Sequence, residues 1–244
     1  MNVQKVALVT GGSRGIGASI AQKLANDNVT VIVNYVNSFD EAAKVVEEIE
    51  GQGGSAKALQ ADVANASAVR QLFDEIEAQY GRLDVLVNSA GILKLAPLVE
   101  CDDALIDAHI DINLKGSIYT MREAAKRLHN GGRIINLSTS VVGLKLENYS
   151  VYAATKAAVE TLGAILCKEL RGREITVNSV APGPTATKLF FDGKSDELID
   201  KLAKMPPLER LAEPEDIASV VAFLASPAGG WINGQTLRAN GGIV

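Results

Sequence analysis

Short, nearly continuous apolar runs alternate with longer stretches of helical period along the whole chain. The runs are Val6–Val9, Val29–Val33, Ala56–Leu59, Val85–Val87, Ile134–Leu137, Ile175–Val180 and Thr236–Leu237. A strand with one wet face alternates apolar and polar residues, whereas a strand covered on both sides has no polar face to show. The runs therefore predict seven strands of a parallel sheet buried on both faces. Between them the apolar period lengthens. In Ser67–Tyr80, Val69, Leu72, Phe73 and Ile76 fall at i, i+3, i+4 and i+7, a single core-facing stripe of a helix. Ser38-Phe39-Asp40-Glu41 predicts a capping box that opens a helix through Gln52, and Gly51, Gly53 and Gly54 end it. Strand and helix alternate throughout, which predicts an α/β doubly wound parallel sheet with right-handed crossovers and helices on both faces. No repeat, low-complexity tract or linker divides residues 1–244, so one domain is expected.

One region breaks the rhythm. Pro182 to Pro207 carries four of the seven prolines, together with Phe190, Phe191 and an amphipathic stretch of Leu198, Ile199 and Leu202. A connection this long inside one domain predicts a binding lid, here at about residues 183–208.

Composition narrows the classes. A hydrophobic fraction of 47% with 22% charged residues describes a globular chain. The net charge is −5 with no basic block, which gives no footprint for nucleic acid. No apolar run approaches the ~18 residues of a membrane span. Met1 to Lys5 run directly into the apolar stretch before Gly11, where no signal peptide can be read. Cys101 and Cys167 read as buried thiols in a reducing compartment, so a cytoplasmic location is expected. His109 and His129 have no Cys or carboxylate at ligand spacing, and no metal site is expected.

The first run ends in Thr10-Gly11-Gly12-Ser13-Arg14-Gly15-Ile16-Gly17, followed by a helix to about Asn26. At this spacing Gly11 permits a tight strand-to-helix turn, Gly15 lets the backbone approach a pyrophosphate, and Gly17 lets the helix pack closely. The helix start then offers free N–H groups to phosphate. No Gly-Lys-Ser/Thr follows, so the loop is not a P-loop. A site for NAD places an acid at the end of strand two to hold the ribose 2′-hydroxyl. Here strand two ends in Val33-Asn34-Tyr35-Val36-Asn37-Ser38, with no acid before Asp40. Asn34, Asn37 and Ser38 are polar and uncharged, and Arg14 offers charge-assisted bonds to a 2′-phosphate. The cofactor expected is NADP(H).

Tyr152-Ala153-Ala154-Thr155-Lys156 puts a tyrosine and a lysine at i and i+4 on one helix face. A free tyrosine titrates at about 10, and lowering that by ~3 units takes ~4 kcal/mol of preference for the phenolate. One ammonium about 4 Å away at an effective dielectric of about 20 supplies that much. The pair is then sufficient for a general acid/base near neutrality.

The ordered set of motifs resembles the short-chain dehydrogenase/reductase family across essentially the whole chain. The resemblance implies a Rossmann-type sheet, with Gly11, Ser13, Arg14, Gly15, Ile16 and Gly17 on the dinucleotide. Asp62, with Val63 beside it, is similar to the family's adenine-contacting aspartate. Asn88-Ser89-Ala90-Gly91 resembles its Asn-Asn-Ala-Gly segment, so Asn88, Ala90 and Gly91 are expected at the cofactor. Pro182-Gly183-Pro184-Thr185-Ala186-Thr187 resembles the loop holding the nicotinamide carboxamide, which implicates Pro182, Gly183, Thr185 and Thr187. Tyr152 and Lys156 match the catalytic pair and also contact cofactor. Asn113 matches the helix asparagine that holds a water contacting the lysine. The following Gly143 points to Ser140 as the catalytic serine, with Ser138 as the alternative. Ser140 precedes Tyr152 by twelve residues, where many members have thirteen.

These roles imply NADPH-dependent reduction of a ketone or aldehyde. Hydride goes to carbon, Tyr152 protonates oxygen, Ser140 donates a hydrogen bond to that oxygen, and Asn113 with water relays the proton back. Leu93, Leu144, Tyr149 and Phe190 are the leading pocket candidates, with Leu95, Leu146, Leu189 and Phe191 beside them, and they imply a mainly apolar ketone. The chain is most similar to the 3-oxoacyl-carrier-protein reductase and hydroxynaphthalene reductase branches, although Asn240 stands where the family usually has Asp. An acyl-carrier partner would want basic residues at the mouth, for which Lys126, Arg127, Arg171 and Arg173 are candidates. The resemblance also implies a homotetramer or dimer. Competing readings are a non-catalytic NADP(H) sensor or scaffold on the same fold, and an alcohol dehydrogenase working oxidatively.

Overall fold

The computed structural model describes residues 4–244. Its seven strands are β1 (Lys5–Thr10), β2 (Val29–Tyr35), β3 (Ser55–Gln60), β4 (Val85–Asn88), β5 (Arg133–Leu137), β6 (Thr176–Pro182) and β7 (Thr236–Ala239). They form one parallel sheet in the order β3-β2-β1-β4-β5-β6-β7. The α-helices begin with α1 (Gly15–Asn26), α2 (Phe39–Gly51), α3 (Ala66–Tyr80), α4 (Asp103–His109) and α5 (Gly116–Arg127). They continue with α6 (Val141–Leu144), α7 (Ser150–Glu169), α8 (Lys188–Phe191), α9 (Asp196–Ala203) and α10 (Pro214–Ala225).

The two-residue period of a strand explains why the sequence runs are solidly apolar. Ala7, Val9, Val31, Val33, Val85 and Val87 bury against α1, α2 and α10 on one face. Their neighbours Val6, Leu8, Ile32, Leu86 and Ile134 bury against α3, α5 and the inner side of α7 on the other. Neither face of a central strand meets water, so neither face can be polar. The predicted stripe Val69, Leu72, Phe73 and Ile76 is fully buried. The chain winds outward from β1 in one direction and from β4 in the other. That reversal opens a crevice beyond the carboxyl ends of β1 and β4, the place where such sheets bind ligands.

Two local expectations differ from the structure. Helix α2 starts where expected, but the Ser38 side chain caps nothing. Glu41, which a capping box would turn back to the Ser38 amide, instead faces Arg14 at 3.6 Å. Asp40 and Glu41 still favour this end of the helix through its dipole. A side chain does turn back in this way elsewhere, where Asp216 Oδ2 accepts from Glu213 N at 2.8 Å at the start of α10. Cys101 and Cys167 are both free thiols, and both are half-buried rather than buried. The proline-rich excursion holds α8 and α9, and its ends are tied where Ala186 N donates to Ala212 O and Ala212 N to Pro184 O, each at 2.8 Å. Among the described residues, no helix is long and apolar enough to cross a membrane.

Candidate active site

The crevice is built from the loops that leave β1, β4, β5 and β6. The Thr10 hydroxyl, at the end of β1, accepts bonds from Ser89 N and Ala90 N at 3.1 Å each, which locks the first loop to the one after β4. Arg14 is the N-cap of α1 and makes no side-chain cap bond, and the first turn contains no acid. The first N–H groups of α1 therefore have no side-chain cap and can meet an anion. Gly15 holds φ at +54°, and a Cβ on Gly17 would overlap the Gly11 carbonyl oxygen. Backbone alone lines this cradle, with Ser13 and Ile16 half-buried beside it. Thr187, from the loop after β6, closes the far side, its Cγ2 lying 3.5 Å from where a Cβ on Gly15 would stand. The residues present fit a dinucleotide pyrophosphate.

At the adenosine end, Asn37 is exposed and Ser38 half-buried, with Arg14 over them in its exposed pair with Glu41. Such a pair contributes about 0–1 kcal/mol and yields readily to a phosphate. Asp62 is exposed, and its Oδ1 accepts from Ala64 N at 2.9 Å, while Val63 beside it is buried. Two expected contacts are engaged elsewhere. Asn34 is only 1% exposed and its amide donates to Leu59 O and Ala61 O at 3.3 and 3.0 Å. Asn88 donates to Asn136 Oδ1 at 2.8 Å and accepts from Thr120 Oγ1 at 2.6 Å. Both side chains stitch strand ends together. Ala90 and Gly91 carry the surface of that loop instead.

The loop after β6 is anchored at its start, where Pro182 O accepts from Ser140 N at 2.9 Å and Gly183 N donates to Ala239 O at 3.0 Å. Thr185 is buried and bonds Gly183 O at 3.0 Å. Thr187 caps α8 through Phe190 N at 3.2 Å.

Helix α7 delivers Tyr152 and Lys156. Lys156 is buried, and its Nζ donates to Leu137 O, the last residue of β5, at 2.7 Å. Nζ lies 5.9 Å from the Tyr152 ring centroid, on the same helix face as the i, i+4 spacing implies. A buried ammonium needs an acceptor, and the strand-end carbonyl supplies it. Burial lowers the Lys156 pKa to about 8. It pushes the Tyr152 phenol up to about 12, against a side-chain hydrogen bond from Thr139 that favours the phenolate. The phenol is therefore a proton holder at neutral pH, where the expectation had it near neutrality.

Asn113 sits in a single π-helical turn, Ile110–Lys115, between α4 and α5. Such turns recur at functional sites because the wider ring re-aims one side chain. Its Oδ1 accepts from Ile92 N at 2.8 Å and its Nδ2 donates to Ile92 O at 3.0 Å, clamping the loop after β4. A Cβ on Gly91 would stand 3.2 Å from Asn113 Oδ1 and 3.5 Å from Lys156 Nζ, so these three residues converge. Ser140 donates to Ala181 O at 3.1 Å and accepts from Asn240 Nδ2 at 2.9 Å. Ser138 donates to the Glu160 carboxylate.

Three residues here were not anticipated. Thr139 faces Tyr152, and it stands thirteen residues before it, the spacing that could have identified it. His109 is fully buried, bonded to Leu105 O at 2.8 Å and accepting from Lys94 N at 3.3 Å, with its ring 6.3 Å from that of Tyr152. Asn240 holds Ser140 and the chain end together. No local pattern marks either of the last two.

Leu93, Leu144, Leu146, Tyr149 and Phe190 are half-buried, whereas Leu95, Leu189 and Phe191 are exposed. Tyr149 lies edge-on to Tyr152 at 6.4 Å, and Ala96 N donates to Asn148 O at 3.2 Å to tie the two sides of the mouth. The basic residues expected at this mouth are not there. In a parallel sheet the C-terminal ends of the helices return to the opposite edge, and Lys126 and Arg127 at the end of α5 lie there with Arg171 and Arg173. Arg127 pairs with Asp74, Glu77 and Glu123, Lys126 with Glu123, and Arg173 with the Ala125 and Leu128 carbonyls.

Residues 11–244 match the family model described as enoyl-(acyl carrier protein) reductase. NADPH-dependent aldehyde reductase 2, chloroplastic, of Arabidopsis thaliana is 45% identical, over 98% of this chain and 94% of its own. The 3-oxoacyl-(acyl-carrier-protein) reductase FabG of Staphylococcus aureus is 43% identical, over 100% of this chain and 99% of its own. Among solved structures, a short chain dehydrogenase from Burkholderia cenocepacia in complex with NADP superposes with a TM-score of 0.93 at 38% identity, covering 100% of this chain and 99% of its own.

Proposed function

The chain belongs to the short-chain dehydrogenase/reductase family, and from that premise we propose that it reduces a ketone or aldehyde to an alcohol with NADPH, Tyr152 acting as general acid. The observation that carries this reading is the convergence of Lys156, on the same α7 face as Tyr152, with Asn113 and Gly91 at the end of the crevice that opens on the uncapped start of α1. Bound NADPH supplies the hydride that reduces the carbonyl carbon. The uncapped start of α1 and the exposed Arg14 bind its phosphates, and the end of β2 presents no acid to repel the 2′-phosphate. Relatives described as NADPH-dependent aldehyde reductase and a neighbour in complex with NADP support that choice.

As charge builds on the substrate oxygen, the Tyr152 O–H bond breaks and its proton passes to that oxygen. An alkoxide is a far stronger base than a phenolate, so the transfer runs downhill even from a phenol with a pKa of about 12. Lys156, still largely ammonium at pH 7, offsets the phenolate left behind. Asn113 holds the loop that carries Gly91 against this pair. The half-buried Leu93, Leu144, Leu146, Tyr149 and Phe190 suit a mainly apolar carbonyl compound, with the segment at about 183–208 closing over it.

The test follows NADPH absorbance over a panel of 3-oxoacyl thioesters, cyclic diketones, quinones, aldehydes and aryl ketones. Turnover is expected for the wild type, with a loss of at least ~10²-fold in Tyr152→Phe at unchanged NADPH affinity. Near-wild-type rates in that variant, or tight NADPH binding without turnover on any member, would overturn the reading.

A further inference from the structure

His109 is fully buried at the end of α4, next to the π-helical turn, and the reduction described above assigns it no part. Both of its ring nitrogens are engaged. Nδ1 meets Leu105 O at 2.8 Å, and Nε2 meets Lys94 N at 3.3 Å. A carbonyl oxygen only accepts and an amide N–H only donates, so the ring proton sits on Nδ1 and Nε2 is the acceptor. The imidazole also packs against Tyr152, with ring centroids 6.3 Å apart and planes at 76°. One side chain thus joins α4, the loop after β4 and the phenol ring.

The loop it holds is regular. Ile92 N donates to Asn113 Oδ1 at 2.8 Å, Lys94 N to His109 Nε2, and Ala96 N to Asn148 O at 3.2 Å. Every second amide is held, as along one edge of an extended segment. One helical turn rises about 5.4 Å and two extended residues span about 6.6 Å. His109 and Asn113, one turn apart, therefore match amides two residues apart, with the loop antiparallel to the helix. Asn113 fixes the cofactor end of the loop, beside Gly91, and His109 fixes the stretch that carries Leu93 and Leu95. Resting on the reductase reading above, we propose that His109 is a positioning residue for the carbonyl substrate, setting the place of Leu93 and Leu95 relative to Tyr152 through its bond to Lys94 N. An apolar ring of similar size would fill the same space but leave that amide without its acceptor. The loop could then shift against the phenol, and a small misplacement of substrate costs binding and rate.

The test separates the two imidazole bonds. His109→Gln keeps a carbonyl oxygen at about the reach of Nε2 and can still accept from Lys94 N. His109→Asn reaches only as far as Nδ1 and can serve only Leu105 O, while His109→Phe keeps the ring and serves neither. KM and kcat are measured with the carbonyl compound that the wild type reduces fastest, and NADPH affinity by fluorescence titration. His109→Phe and His109→Asn should raise KM by ~10-fold, with a smaller fall in kcat and unchanged NADPH affinity, and His109→Gln should stay within ~3-fold of the wild type. Equal KM values in His109→Gln and His109→Asn, or a wild-type KM in His109→Phe, would overturn the proposal. Amide hydrogen exchange at Lys94 needs no substrate. It should be slow in the wild type and His109→Gln, and at least ~10-fold faster in His109→Asn and His109→Phe. Unmoved exchange in His109→Phe would also overturn the proposal. A wild type that reduces nothing would sink the reductase reading, while the exchange at Lys94 would still decide whether His109 holds the loop.

Discussion

Replacing Lys156 by Met should flatten the pH dependence of stability above neutrality. The folded-state pKa of Lys156, about 8, lies below its ordinary 10.5. Between those values the unfolded chain binds more protons than the folded one, so this lysine makes stability rise with pH. At ~1.4 kcal/mol per unit, the mismatch costs about 3 kcal/mol at pH 7 and about 1 kcal/mol at pH 10. Met fills similar space without charge but leaves the Leu137 carbonyl without its donor, a cost of about 1–3 kcal/mol that does not vary with pH. The two proteins should therefore be of similar stability at pH 7, and the wild type should gain ~2 kcal/mol on the variant by pH 10. Urea unfolding of both cofactor-free proteins at the two pH values, at one protein concentration, measures this difference. Tyr152 titrates in both and cancels. Parallel curves, with a relative change below ~0.5 kcal/mol, would show that burial of Lys156 does not depress its pKa.

Arg14→Ala should weaken NADPH binding by ~10-fold, or ~1.4 kcal/mol, and leave NADH binding nearly unchanged, as fluorescence titration with both cofactors would show. Gly17→Ala should lower Tm by about 5 °C and abolish measurable cofactor binding, because the new methyl overlaps the Gly11 carbonyl and must displace the loop. A Gly17→Ala protein that melts and binds like the wild type would remove the close-packing argument.

The strands were legible because the central ones are covered on both faces, so burial acts on every residue and leaves an unbroken apolar run. The Tyr152 and Lys156 placement was legible from helical spacing alone, but their pKa values were not. Those depend on how deeply the fold buries this face of α7. Asn34 and Asn88 lie beside the expected cofactor loops, and polarity there reads as ligand contact. Their real partners sit on adjacent strands that only the assembled sheet brings near. The partners of Ser138 and Ser140, Glu160 and Asn240, lie 22 and 100 residues away, beyond the reach of any local pattern. The π-helical turn around Asn113 carries no local sequence mark. Lys126 and Arg127 were misplaced at the mouth for want of a topological step, since α5 runs antiparallel to the strands it covers and ends away from the crevice.

The most direct measurement uses NADPH carrying deuterium at the transferable position of its nicotinamide, with mass spectrometry of the alcohol formed by the wild type and by Tyr152→Phe. The wild type should place one deuterium on the carbinol carbon, and the variant should form at most ~1% as much product. Product without label, or equal labelled product from Tyr152→Phe, would contradict this mechanism.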